Sequence, residues 1–422
     1  MKSVTLVALL MVSFSLFSQG EAANWFFGNG AGLTFDLNTE TVTPTNVAAT
    51  TINTTEGCSS ISDSAGNLLF YTDGRNVWDK NHQIMPNANY NNRTGLFGDP
   101  SSTSSGLIIP RPGNPNNYYV FTVDEPHHNN AWAYPNQGPA DSNGNSIDYY
   151  DNDIRAGSVP FDDDGYNNGL NYSLVDLTLN SGNGDVVRTE KNKPLVTYDP
   201  TINEQAAFKC SEKITAVEHS DGQSYWVVSH FIDSFYAFQV NSSGVNETPV
   251  KTAIMPLISL NGYRRNAIGY LKSSPDGKKL AICHSENGRR QGQRDSNSGS
   301  LWIYDFDDAT GVVSNPVNIL ANSPLYGVEF SIDSSKLYAT INNRVSQFDL
   351  NAADVSASAT TVFQGSNRVF ALQLAPNGKI YVINFNSNSS LDVINTPNEL
   401  GALCDYKVAG QPLSIGTSAN LG

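Results

Sequence analysis

The chain has 422 residues, of which 39% are hydrophobic, 10% aromatic and 15% charged. That is enough apolar material for a sizeable core and too little charge for a disordered chain. Acidic residues outnumber basic ones 40 to 25, and the net charge of −15 would repel a phosphate backbone instead of releasing its counterions, so nucleic acid is excluded as the expected partner. The 34 Gly and 20 Pro fall in short clusters with Asn, Asp and Ser, the pattern of an all-β chain with many tight turns, and long amphipathic helices are absent.

The first segment reads as a targeting signal. Lys2 supplies a positive start, Val4 to Phe17 is an apolar run short for a membrane span, and small residues follow at Ser18, Gly20, Ala22 and Ala23. Residues 1–23 are therefore expected to be removed and residues 24–422 to form one exported domain. No cysteine stands at the expected cleavage point to carry a lipid, and no later apolar run is long enough to span a bilayer.

Four cysteines, Cys58, Cys210, Cys283 and Cys404, lie far apart and form no C-x-x-C pair. Disulfides are one reading in an oxidising compartment, with three full pairings. The other, which we favour, is small buried core residues, because Cys283 sits within the strand-like run 280–284 and Cys58 opens another.

Moving along the chain, one unit recurs: a short apolar strand, a turn rich in Pro, Asp, Asn and Gly, and a second strand of β-branched and aromatic residues. It is clearest at Leu271–Ile282, followed by Ser300–Phe306, and returns at Val328–Ala339 and Leu372–Val382, with looser copies at Ile61–Tyr71, Ile108–Phe121 and Val217–Val228. The turn residues Ala65, Asn116, Asp221, Asp276, Asp333 and Asn377 stand 51, 105, 55, 57 and 44 residues apart, mostly near the period of propeller blades. The long step contains an insertion at about 126–169, read as a loop because blade-like sequence resumes at Tyr172–Leu177.

Each unit supplies about four strands with two apolar faces, which a single blade cannot bury alone; radial stacking of neighbours does so. The chain is thus expected to be a β-propeller of seven blades. Trp25–Gly28 and Gly32–Leu37 look like the later strands of a blade with no first strand before them. The missing strand is expected from the C-terminal end, where the sequence stops at Leu421 and Gly422 as such a strand would begin, and the chain is expected to be the front part of a longer product.

The same residues carry a family resemblance. Asn24–Gly28, Glu56–Gly74, Asn81–Pro86, Ser101–Ser105, Ile109–Pro115 and Ala267–Leu271 resemble the propeller region of Bacteroidetes surface proteins described as gliding-motility-associated or as type IX secretion substrates with a type B sorting domain. The resemblance runs from Asn24 nearly to the end and implies export across the outer membrane, with display at the cell surface or release. The sorting domain itself is not part of these 422 residues.

Local enzyme signatures are scarce: there is no H-E-x-x-H, no G-x-S-x-G and no phosphate-binding glycine loop with its lysine. Propeller enzymes nevertheless assemble sites from single residues on separate blades. The expected ligand position is the channel mouth where the inner strands begin, near Glu56, Thr103, Lys213, Arg265, Tyr326, Glu329 and Arg368. Carboxylates and guanidinium groups there would hold a polar or sugar-like ligand, or would pair with one another and staple the ring.

Asp162, Asp163 and Asp164, with Asp151 and Asp153 upstream, form the best candidate for Ca²⁺, which takes several oxygen ligands. A solvated acidic loop is the alternative, since the spacing is not that of an EF-hand. His127, His128, His219, His230 and His284 are expected in packing or loop roles. The insertion also carries Trp132, Tyr134, Tyr149, Tyr150 and Tyr166, suited either to stacking on a sugar or protein or to pinning the loop. The expectation is a non-catalytic surface recognition or adhesion module for glycan or protein; a propeller hydrolase or lactonase, and a structural spacer, are the alternatives.

Overall fold

The turns of the repeat are closed by Asx side chains. Asp63 Oδ1 accepts the backbone N–H groups of Ala65 and Asn67, and Asp221 Oδ1 accepts those of Gln223 and Ser224. Asp276, Asp333 and Asn377 each accept the N–H two residues on. An Asx side chain that caps its own turn fixes the reversal before any long-range contact forms. Ser274 and Ser331 reinforce it by donating to Asp276 and Asp333.

The computed structural model of the protein describes residues 19–46, 52–92, 94–126, 168–260, 263–287, 298–385 and 388–422. These turns separate antiparallel strands gathered into seven sheets. The first holds β1 (Asn24–Phe27), β2 (Ala31–Asp36) and β3 (Thr41–Asn46), and the second β4 (Ser59–Ser62), β5 (Leu68–Thr72) and β6 (Val77–Asp79). The third holds β7 (Leu107–Pro110), β8 (Asn117–Val123), β9 (Leu170–Asp176) and β10 (Asp185–Val186), with β11 (Lys193–Leu195) also on β9. The fourth holds β12 (Ile214–Glu218), β13 (Tyr225–Phe231), β14 (Ser234–Asn241) and β15 (Gly244–Val245), with β16 (Val250–Ala253) on β14.

The fifth sheet runs β17 (Leu271–Ser273), β18 (Lys279–His284), β19 (Ser300–Asp307) and β20 (Val312–Ala321). The sixth runs β21 (Leu325–Phe330), β22 (Lys336–Ile341), β23 (Arg344–Asp349) and β24 (Thr360–Gln364). The seventh runs β25 (Val369–Leu374), β26 (Ile380–Asn384), β27 (Ser390–Ile394) and β28 (Tyr406–Pro412). The protein is a seven-bladed β-propeller.

The core lies between blades. Middle strands such as β22 are buried along their whole length, as expected of a sheet covered on both faces. Phe121, Phe231, Phe235, Phe238, Phe330 and Phe348 are all buried, and each contributes about 1.5–3 kcal/mol of apolar burial. All four cysteines are free thiols, Cys58 half-buried and the others buried. Burial pushes the Cys58 thiol up to about 12. The long sequence insertion joins β8 to β9, which pair directly from Val123 opposite Leu170, so it interrupts a blade between two hydrogen-bonded strands.

The first blade differs from the rest. Its β1 approaches β4 of the next blade as β18 approaches β21 and β22 approaches β25. That is the position of a second strand, so the innermost place of this sheet is not taken by any of its three strands. The C-terminal tail instead reaches this blade at one end. Asn29 and Ser418 form an antiparallel bridge, the Leu421 N–H donates to the Thr55 carbonyl at 2.7 Å, and the Ala371 N–H donates to the Leu421 carbonyl at 3.2 Å. Both ends of the chain are therefore joined across the seam of the ring.

Gly28 makes that seam tight: its φ is +56°, and a Cβ there would overlap the Ser418 carbonyl. Gly28→Ala is expected to lower stability by about 1–3 kcal/mol through backbone strain and displacement of the tail; urea denaturation against the parent chain checks this.

Candidate functional site

At the end of the ring where the inner strands begin, short segments preceding β4, β7 and β12 bring Glu56, Thr103 and Glu212 together. The Thr103 N–H donates to Glu212 Oε2 at 2.9 Å, and Thr103 Oγ1 lies 2.6 Å from Glu212 Oε2 and 3.1 Å from Glu56 Oε2. A hydroxyl has one proton to give, so it cannot donate to both carboxyl groups. Glu56 supplies the second proton: burial, then the charges of Glu212 and Glu125, hold its carboxyl well above the usual range. The chain of donors runs from the Glu56 carboxylic acid to Thr103 and from Thr103 to Glu212.

Burial and the Glu125 charge also push Glu212 up to about 7, while burial pushes the neighbouring Lys213 down to about 7. Lys213 Nζ donates to the carbonyls of Ala267, Ile268 (2.9 Å) and Asn266 (3.3 Å), tying the fourth blade to the fifth. His230 and His284 meet edge to face with ring centroids 5.1 Å apart. Burial, reinforced by Lys213, drives His230 down to about 3 and His284 well below the usual imidazole range. Both rings are thus neutral at physiological pH. Glu212 and Lys213 are fully buried, and Glu56 is 6% and Thr103 1% exposed.

The other end of the channel is open. A cavity of about 970 Å³ extends from Glu56, Thr103 and Gly422 at the buried end to a rim formed by the turns around Ser220 and Asp276. Glu218, Ser220, Pro275 and Asp276 at that rim are exposed. Trp25, Phe27, Leu372, Tyr381 and Ile383 form one wall, where the rings of Trp25 and Tyr381 meet at 5.6 Å, edge to face. Lys272 and Glu329 supply polarity beside that wall: their Nζ and Oε2 are 3.2 Å apart, Lys272 Nζ also donates to Gln373, and Glu329 Oε2 accepts the Leu374 N–H at 3.1 Å.

The expected ring of carboxylates and guanidinium groups is therefore present only in part. Glu56, Thr103 and Tyr326 converge, the tyrosine hydroxyl opposing the upward shift of the Glu56 carboxyl without overcoming it, and Lys213 follows Glu212 in the chain beside them. Glu329 is displaced along the channel to Lys272. Arg368 is exposed and Arg265 half-buried, and neither lines the cavity. The physical reason is that this end is packed shut, leaving no room for a solvated guanidinium, so the accessible mouth is at the opposite face.

Glu212, Tyr270, Lys272 and Trp25 were not singled out from sequence. The signal for Glu212 was its position immediately before the already selected Lys213; Trp25 lies in a strand legible as blade sequence, but its place on the cavity wall depends on how the ring closes. Trp132, Tyr149, Tyr150, Asp162, Asp163 and Asp164 lie outside the described residues. Among the described residues, no group of three or more His, Cys, Asp or Glu side chains is arranged to hold a metal ion, and no helix is long and apolar enough to cross a membrane.

No family model matches the chain, and no curated protein sequence matches it. Among solved structures it is similar to a protein from Lactobacillus plantarum, with 13% identity, a TM-score of 0.47, and 94% of this chain and 96% of that one covered. A putative 6-phosphogluconolactonase from Bacteroides uniformis is 13% identical with a TM-score of 0.46, covering 93% of this chain and 97% of that one. A second, from Bacteroides fragilis, is 11% identical with a TM-score of 0.45, covering 94% and 95%. At these identities no activity carries over from them.

The raised Glu212 makes a definite pH signature. A carboxyl whose folded pKa is raised stabilises the fold fully below its unfolded value near 4.5, and that contribution is lost as pH rises through about 7. Glu212→Gln removes the titration while keeping an oxygen to accept from Thr103. The stability of this variant relative to the parent is expected to rise between about pH 4.5 and 7 and to level off outside that window. Because His230 titrates in the opposite sense over part of this range, the quantity to measure is the difference between the two denaturation curves at each pH.

Proposed function

We propose that this chain is an exported, non-catalytic recognition module of the bacterial surface that binds its ligand in the central channel. The observation that carries the reading is the 970 Å³ cavity with an aromatic and aliphatic wall and the Lys272–Glu329 pair beside it. A large concave apolar site with a few placed polar groups is the usual form of a binding pocket. Export is supported by Lys2, the apolar run Val4–Phe17 and the small residues before Asn24. The resemblance to type IX secretion substrates supports display or release at the surface.

One observation favours hydrolysis as a second reading. Glu56, held as a carboxylic acid, and Thr103 line the inner end of the cavity, and a protonated carboxyl near neutral pH is a general acid in form. Catalysis would require a substrate to reach the buried end. A δ-lactone assay separates the two: turnover abolished by Glu56→Gln would establish the hydrolase, whereas ligand binding without turnover supports recognition.

Ala216 lies half-buried on the cavity wall in β12. Ala216→Trp is expected to weaken binding at least tenfold, equal to about 1.4 kcal/mol, with the denaturation midpoint little changed. Titration calorimetry with glucose, galactose and mannose oligomers and short extended peptides reads this. Replacing residues 127–167 by a short Gly-Ser linker is expected to leave binding in the cavity unchanged, because the insertion leaves β8 beside Asp124 and Glu125, at the closed end of the ring. Lost binding in that variant would move the site to the insertion.

A further inference from the structure

In the last three blades the repeat places a lysine at the entry to the second strand. In the fifth and sixth, an aspartate opposite it on the third strand neutralises it. Lys279 stands in register with Asp305 and Lys336 with Asp349, and the ammonium and carboxylate groups lie 2.8 and 3.3 Å apart. In the seventh blade the lysine is Lys379, and the place of the aspartate, one step beyond the Ile380–Ile394 pair, is taken by Asn395. Asn395 Nδ2 donates to Asp405 Oδ2 at 3.0 Å, which turns its Oδ1 to accept from Lys379 Nζ at 2.9 Å. Among the described residues no carboxylate forms an ion pair with Lys379, and an ammonium has two further protons to donate.

Lys379 borders a groove of about 220 Å³ between the first and seventh blades. Tyr381, Val393 and Lys407 stand in register on β26, β27 and β28, so a row of side chains leads outward from the channel. The shared core of the two blades ends at Val393 and at Val42, the partner of Phe35 on β3. Lys379, Lys407, Gln411 and the exposed Glu40 line the groove around them. Tyr381 borders both this groove and the central channel.

Two of these groups lack what would satisfy them. The carboxylate paired with Lys407 is that of Asp405, 4.0 Å away with both side chains more than half exposed, a contact of little strength. Gln411 is only 9% exposed, and its Nε2 donates to the Pro412 carbonyl at 3.0 Å. Among the described residues no donor reaches its Oε1, and a buried acceptor is costly to leave without a proton. A ligand that answers both needs carries a carboxylate for the lysines and a hydroxyl group for Gln411. A neutral sugar lacks the first, and a fully ionised phosphate lacks the second.

We infer that this groove is a second binding site, separate from the channel, for a sugar acid of the uronate type. The carboxylate lies between Lys379 and Lys407, a ring hydroxyl donates to Gln411 Oε1, and the C–H face of the ring rests on Val42 and Val393. The replacement of the repeat's aspartate by Asn395 is what frees Lys379 for this role.

Titration calorimetry of the intact protein with methyl β-glucuronide, methyl β-glucoside and inorganic phosphate tests the inference. The glucuronide is expected to bind saturably and at least tenfold more tightly than either of the others. Asn395→Asp, which restores the ion pair of the fifth and sixth blades, and Lys379→Gln are each expected to weaken it at least tenfold with the denaturation midpoint little changed. Ala216→Trp, which fills the channel, is expected to leave it unchanged. No binding of the glucuronide, equal binding of glucoside or phosphate, or binding that survives both groove variants overturns the inference. Binding lost in Ala216→Trp also overturns it, because the sugar acid then occupies the channel.

Discussion

The structure depends on closing a ring of sheets, none of which can bury both faces alone. Every blade except those at the seam is flanked by neighbours that are consecutive in sequence, so local chain order places its partners. The seam has no such help. It is made by Trp25 and Phe35 packing on Tyr381 at 5.6 and 5.7 Å, by the Asn29–Ser418 bridge, and by Leu421 joining Thr55 to Ala371. These contacts span nearly the whole chain, and the first and last blades share a core because of them.

Closure also gives the channel two unlike ends. Where the inner strands begin, carboxyl, hydroxyl and ammonium groups are drawn inward and satisfy one another: Glu56 with Thr103, Thr103 with Glu212, and Lys213 with three carbonyls. Burying charge is costly unless it is paired or neutralised. Both remedies appear, since Glu56 retains its proton and Lys213 is surrounded by acceptors. At the other end the Asx turns close over their own hydrogen bonds and point into solvent, so nothing draws them across the opening.

The cavity follows from the seam and from this asymmetry together. Trp25, Phe26 and Phe27 of the first blade and Tyr381 and Ile383 of the seventh line the cavity together with the polar Lys272–Glu329 pair. The result is a site that combines an apolar wall with an adjoining ion pair.

The sequence by itself determined the repeating unit, and for a local reason: Asp221, Asp276 and Asp333 cap their own turns, and the flanking strands alternate with a period of two. It also showed that Trp25–Leu37 holds the later strands of a blade whose first strand does not precede them, because the repeat states what should come before. Glu56, Thr103 and Tyr326 were legible as residues near the starts of inner strands. The tertiary structure decided which end of the channel is open, why Arg265 and Arg368 stand away from the cavity, and how Glu212 comes to share Thr103 with Glu56. Those outcomes depend on contacts between residues more than a hundred positions apart and on which charges the closed ring removes from water, and no local pattern encodes either.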